Sequence, residues 1–371
     1  MSKTSLLSGS SAPRRLPWYV RSGARTWTCA PPPAEVRDFH AGLPGYAPTP
    51  LTELPALAAE LGVGRVFVKD ESARLGLPAF KALGASWAIH QVLARRTGSG
   101  LVRLVTATDG NHGRAVARMA RLFGHPAQVF VPRGVHPAAV TAIEDEGADV
   151  VLVPGSYDEA VRRAAGAAGG PDSVLVQDTG RPGYERIPGW IVQGYATLFA
   201  EIDEQLGAGA PGLVVVPAGV GSLAQAAVTH YRSRRDGAVA TALLSVEPVT
   251  AACVLASLGR GEPVSVPTGT TTMAGLNCGT VSSLAWPLLR DGLDAAVAVT
   301  DADSAGAARD LAAAGVSAGP CGAASLAGAR AALTGAGAAG RRRALAVGSD
   351  STVVLLSTEG TAANPYAQEQ R

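Results

Sequence analysis

Lysine is nearly missing from this chain of 371 residues. Three are present, Lys3, Lys69 and Lys81, against 29 arginines. Any reaction that needs a lysine amine therefore has almost no choice of residue. Cysteine is sparse too. Cys29, Cys253, Cys278 and Cys321 form no CxxC pair, which excludes a disulfide framework and predicts reduced thiols in a cytoplasmic protein. No Cys/His cluster has zinc-ligand spacing, so no metal is expected. No run of about 18 apolar residues occurs, which excludes a transmembrane helix. The Ser-rich start, residues 1–15, lacks the apolar core of a secretory signal. With a net charge of only +2, neither nucleic acid nor a membrane surface is an expected partner. The 45 glycines and 25 prolines follow no G-X-Y period, so collagen is excluded.

What is present is apolar. Hydrophobic residues make up 47% and charged residues 17% of a 37.4 kDa chain, enough core for two packed domains or one large α/β unit. Short apolar runs predict strands at 66–68, 101–107, 127–131, 150–153, 174–177, 213–217, 242–246, 295–299 and 352–356. Helical stretches lie between them, including 84–94 and one long helix over 187–206. Residues 30–33, with three prolines, read as an extended arm. Residues 333–343 read as a surface loop or helix end with solvated arginines. The β-α alternation predicts an α/β fold with largely parallel sheets and helices on both faces. Such sheets bind ligands at the carboxyl ends of their strands, where the polar clusters Lys69-Asp70-Glu71-Ser72, Gln177-Asp178-Thr179 and Ser357-Thr358-Glu359-Gly360 also fall.

Three clusters at those ends can carry chemistry. Gly219-Val220-Gly221-Ser222-Leu223 follows the strand LVVVP and opens a helix. Glycines let a ligand approach the backbone, and a helix start with a hydroxyl attracts a phosphate. A tight turn with no ligand is the plain alternative. Lys81 stands in AFKALGAS among apolar neighbours, which lower an amine's pKa and favour its nucleophilic form, as a Schiff base with an aldehyde cofactor requires. Its competitor Lys69 lies beside Asp70 and Glu71 and reads as an ion-paired strand end. Thr108-Asp109-Gly110-Asn111-His112-Gly113 suits a carboxylate-binding loop of backbone N–H groups. Alternatively, Asp109 caps the next helix and His112 bonds locally.

AFKALGAS, TDGNHG and AGVGSL occur in the order found in fold type II pyridoxal-phosphate enzymes, the tryptophan synthase β and threonine dehydratase group. Within that group the chain resembles the diaminopropionate ammonia-lyases. The resemblance rests on FHAGLPGYAPTPL (39–51), VFVKDESARLGLPAFKALGAS (66–86), ATDGNHGRAVA (107–117), VQDTGRPGYERIPGWIVQGY (176–195), PAGVGSLA (217–224) and TTMAGLNCG (271–279). It implies two parallel-rich α/β domains with the active site in the cleft between them. The large cofactor-binding domain would comprise 1–83 and 191–371, and the small substrate-loop domain 84–190. It also implies a homodimer and pyridoxal 5'-phosphate as cofactor.

The resemblance implies roles for individual residues. Lys81, with Phe80 beside it, would hold the cofactor. Gly219, Val220, Gly221, Ser222 and Leu223 would bind its phosphate, and Asn111 would lie against its 3′-oxygen. Thr108, Asp109, Gly110 and His112 would meet the substrate. Asp109 and Asp178 match the bases acting on the D- and L-forms of 2,3-diaminopropionate, whose products are pyruvate and two ammonia. The chemistry supports two bases. The enantiomers present the α-proton to opposite faces, and one carboxylate cannot serve both without moving several ångströms. There are departures. The segment that reads like SGESGA in the family reads AGPCGAAS (318–325) here. Cys321 falls where fold type II enzymes often carry Ser, Thr358 is a second candidate for the pyridine nitrogen, and Pro320 replaces an acidic residue. Two alternatives stand beside this reading: a serine or threonine dehydratase-like lyase, which does not need Asp178, and a silent pyridoxal-phosphate-binding protein.

Overall fold

A computed structural model describes residues 17–21, 23–108, 110–207, 209–233 and 241–363. Lys3 and Asp109 lie outside the described residues. Among those described, the strands are β1 (Trp18–Val20), β2 (Leu51–Glu53), β3 (Arg65–Asp70), β4 (Arg103–Ala107), β5 (Ala127–Pro132), β6 (Asp149–Val153), β7 (Ser173–Leu175), β8 (Leu213–Pro217), β9 (Ala242–Pro248), β10 (Ala295–Val299) and β11 (Thr352–Ser357). The helices are α1 (Glu35–Ala41), α2 (Pro55–Leu61), α3 (Lys81–Ala94), α4 (Asn111–Leu122), α5 (Pro137–Glu144), α6 (Tyr157–Ala167), α7 (Arg186–Gly194), α8 (Ala196–Leu206), α9 (Ser222–Arg232), α10 (Cys253–Arg260), α11 (Ala285–Gly292), α12 (Asp301–Ala313), α13 (Pro320–Leu333) and α14 (Ala338–Leu345).

Two sheets result. One runs β1-β10-β9-β8-β11-β3-β2, parallel through its middle with antiparallel β1 and β2 at the edges. The other runs β6-β5-β4-β7 and is wholly parallel. In the first, alternate residues of β8 enter different cores: Val214 and Val216 pack on one face, Leu213 and Val215 on the other. Burial on both faces explains why the run LVVVP is continuously apolar. The sequence analysis expected neither β1 nor β2, three-residue strands at the edges of this sheet.

Two expectations need correction. The long helix expected at 187–206 is two helices meeting at Tyr195. The cause is a close crossing. A Cβ on Gly194 would fall 2.4 Å from the Leu83 carbonyl, and one on Gly84 would fall 2.6 Å from Tyr195 Cε1. Backbone-to-backbone contact with α3 therefore bends the chain here. Two of the three arginines of the 333–343 tract are also not simply solvated, while Arg343 is exposed. Arg341 donates to the Ala332 and Thr334 carbonyls at 3.0 and 2.8 Å, and Arg342 to the Leu61 carbonyl at 2.7 Å. They serve carbonyls at the ends of α13 and α2 that lack intrahelical partners.

Candidate active site

The carboxyl ends of β4, β7, β8 and β11 face one cavity of about 930 Å³. Its wall includes Phe80 and Lys81, Thr108, Gly110, Asn111 and His112, then Asp178, the whole 219–223 turn, Cys321 and Thr358. Every described residue singled out from the sequence for this site therefore lies in one place.

Lys81 opens α3 and is partly buried. Its Nζ donates to Asp178 Oδ2 at 2.8 Å and lies 5.3 Å from the Phe80 ring centroid. The apolar neighbours led to an expected low amine pKa, and here the structure differs. Burial does penalise the ammonium, but the Asp178 carboxylate outweighs it and holds the amine above its ordinary value. Asp178 responds in kind. Burial opposes its charge, yet the Lys81 ammonium keeps its carboxyl well below the usual carboxylate range. His112 is buried, with Nε2 2.8 Å from the Val176 carbonyl. A carbonyl only accepts, so Nε2 carries the proton. Burial also lowers the ring's pKa, leaving it neutral. Nδ1 then presents a lone pair, 3.9 Å from Asp178 Oδ2 and without a hydrogen-bond partner.

Lys69 is not the strand-end ion pair its neighbours suggested. It is fully buried, and Nζ donates to Glu201 Oε2 at 2.7 Å and to the Thr49 carbonyl and Gln205 Oε1, both at 2.8 Å. All three donors are used. Asp70 instead accepts from the Ser72 amide. Among the described lysines, only Lys81 faces the cavity.

Opposite Lys81, β8 turns into α9 through Gly219–Ser222. Gly221 has φ +95, and a Cβ there would meet Leu289 Cδ1 at 2.7 Å. A Cβ on Gly219 would meet Cys278 Sγ at 2.9 Å. Both positions thus favour glycine, and the turn leaves backbone facing the cavity where an anion is favoured, with the Ser222 hydroxyl donating to the Asp178 carbonyl at 3.3 Å. A lysine amine and an anion cup in one cavity fit pyridoxal phosphate. Thr108 is less free than its candidacy implied, because its hydroxyl accepts from the amides of Gly110 and Gly113 at 3.0 and 3.1 Å. Cys321 and Thr358 are both buried in the wall.

Sequence reading missed four residues. Glu359 reaches the start of α13, where Pro320 stands in place of an acid, and accepts from the Cys321 amide at 3.2 Å and from Asn111 Nδ2 at 2.7 Å. Its place in a strand-end polar cluster was the available signal. Tyr195 is buried beside Lys81, its phenol pushed up to about 12 by burial. Cys278 backs the cup. Gln177 joins neighbouring strand ends: its Oε1 accepts from the Ala107 amide at 3.0 Å and its Nε2 donates to Tyr157 at 2.9 Å. That brace sets the position of the adjoining Asp178.

Comparison with known proteins agrees with this geometry. Residues 43–358 match the family model described as pyridoxal-phosphate dependent enzyme. The diaminopropionate ammonia-lyase of Salmonella typhimurium is 38% identical over 293 residues, 72% of each chain. The crystal structure of Escherichia coli diaminopropionate ammonia-lyase in complex with an aminoacrylate-PLP azomethine reaction intermediate superposes with a TM-score of 0.83 at 32% identity, covering 95% of this chain and 96% of that one. The same enzyme in complex with D-serine gives 0.83 at 31% identity over the same shares. The chain belongs to the pyridoxal-phosphate-dependent enzymes of fold type II, in the diaminopropionate ammonia-lyase family.

Proposed function

We infer that this protein eliminates ammonia from 2,3-diaminopropionate, giving pyruvate and a second ammonia with uptake of one water. The observation that carries the reading is the Lys81 amine held against the Asp178 carboxylate at 2.8 Å, across one cavity from a glycine cup. Lys81 is the residue that attaches the cofactor, and the 219–223 turn holds its phosphate. When bound, pyridoxal phosphate supplies an electron sink for the carbanion left by loss of the α-proton. Asp178 accepts that proton at Oδ2 from one enantiomer. Because the Lys81 ammonium is the main group that lowers the Asp178 pKa, any loss of that charge would move the carboxyl back toward the ordinary range and suit it to act as a base. Neutral His112, held by the Val176 carbonyl, keeps a second positive charge away from that carboxylate. Asp109 is assigned to the opposite face, on the D-form. Cys321 is the first candidate for the ring nitrogen and Thr358 the alternative, both lining the cavity. A homodimer is part of this reading.

The test is pyruvate release from each enantiomer by Asp178→Asn and Asp109→Asn, after checking that cofactor uptake is unchanged. Asp178→Asn should mainly harm the L-form and Asp109→Asn the D-form, each by about 10²–10⁴-fold. Equal loss on both enantiomers in either variant would show that the residue positions the ligand. Lys81→Ala should lose the yellow cofactor band. Borohydride labelling of Lys69 or Lys3 in the parent would overturn the attachment site. D- and L-serine and threonine, assayed alongside, separate this reading from a dehydratase.

A further inference from the structure

Glu359 follows β11 and is 4% exposed, yet neither composition nor motif assigned it a role. Its backbone ties three segments of the site together. The Gly319 amide donates to its carbonyl at 2.9 Å, and Ala79, two residues before Lys81, bridges to it in antiparallel fashion. Its carboxylate accepts at both oxygens, Oε1 from the Cys321 amide at the start of α13 and Oε2 from Asn111 Nδ2 at the start of α4. The second of these bonds runs from the four-strand sheet's layer to the seven-strand sheet's layer.

A primary amide can face a neighbour with its oxygen or with its NH2 group. A carboxylate that is already accepting can be faced only by the NH2. The Glu359 bond therefore removes one of the two orientations of the Asn111 amide. One N–H of Nδ2 is spent on Oε2, and the other stays on the same side for an oxygen in the cavity. We propose that Glu359 is a positioning residue that fixes the Asn111 amide with its NH2 toward the oxygen carried on the cofactor ring. The proposal deepens the reading above and rests on it. Replacing the carboxylate by an amide breaks the arrangement. Cys321 and Asn111 use different carboxylate oxygens, and glutamine keeps an acceptor at only one of the two positions. With its oxygen on the Cys321 amide its NH2 group faces Asn111, and the Asn111 amide is then free to flip and set its own oxygen against the ring oxygen.

The experiment is a double-mutant cycle read by pyridoxal-phosphate titration and by the visible band of the bound cofactor as a function of pH. Glu359→Gln should weaken binding about tenfold and shift the pH midpoint of the band, as loss of a hydrogen bond to a charged oxygen does. Asn111→Ala should do the same. Adding Glu359→Gln to Asn111→Ala should cost little more, because the two act through one bond. Should the glutamine variant fail to fold, Glu359→Asp serves: it keeps the charge but is too short to reach Asn111. A helix cap without a positioning role would lower the melting temperature and leave the band unmoved. Parent-like affinity and band in the folded variants, or additive losses with Asn111→Ala, would overturn the proposal. If the parent protein itself takes up no cofactor on Lys81, the site reading fails first and this proposal with it; normal uptake with additive losses sinks this proposal alone.

Discussion

The charges of Lys81 and Asp178 are set by each other rather than by their apolar surroundings. Each is buried enough to lose hydration, and each recovers it from its partner at 2.8 Å. A similar argument from local constraint applies across the cavity. Gly221 sits at φ +95 with no room for a Cβ, so Gly221→Asp strains the turn and puts a carboxylate where a phosphate is expected. Cofactor affinity should fall by tenfold or more, about 1.4 kcal/mol, in a direct titration. Unchanged affinity would remove the cup from the site.

Helices position these residues through very close contacts. The α3–α7 crossing has no slack, since a Cβ on Gly194 would sit 2.4 Å from a carbonyl oxygen and 2.9 Å from Gly84 Cα. Gly194→Ala should therefore cost about 1–3 kcal/mol in urea denaturation. It should also weaken cofactor retention, because α3 begins at Lys81. Stability equal to the parent would mean that the crossing opens freely. A second device joins α1 to α3 and α8. His40 is fully buried, with Nδ1 2.7 Å from Thr197 Oγ1 and Nε2 3.0 Å from both the Leu83 carbonyl and Ser86 Oγ. Burial is the main cause that takes its pKa from 6.5 down to about 4, with Arg74 and Arg37 adding to it and Leu83 and Glu201 opposing. The unfolded chain then binds the proton first as pH falls. Its stabilising contribution is complete above pH 6.5 and drains away down to about pH 4, by about 3 kcal/mol. His40→Gln should flatten that part of the stability-against-pH curve, measured by denaturant titration between pH 7 and pH 4.

At the scale of the whole molecule, a buried ionic cluster joins segments far apart in sequence. Glu201 of α8 accepts from Lys69 of β3 at 2.7 Å and from Arg74 at 2.7 and 2.8 Å, while Arg74 also binds Glu71 at 2.7 and 2.8 Å. None of these four side chains is exposed. Such clusters stabilise little against an apolar substitute, but breaking one strands charge in the interior. Glu201→Ala should cost about 3–5 kcal/mol, read from the urea midpoint at constant slope. A cost below about 1 kcal/mol would mean that water reaches Lys69 and Arg74. Among the described residues no helix is long and apolar enough to cross a membrane.

The amino-acid sequence alone determined the parallel α/β order, the strand-end clusters and the choice of Lys81, because continuous apolar strands, required glycines and the scarcity of lysine are all local or countable properties. It did not determine what each charged group pairs with. Lys69 was paired with its sequence neighbours, whereas its partner Glu201 lies 132 positions away. Lys81 was read from apolar neighbours, whereas Asp178, 97 positions on, decides its charge. Glu359 was one polar residue in a cluster until the fold set it between Asn111 and Cys321. The helix over 187–206 has a continuous apolar pattern, and only the approach of α3 breaks it at Tyr195. Electrostatic partners and backbone crossings depend on distances between segments, and those distances exist only once both sheets have formed.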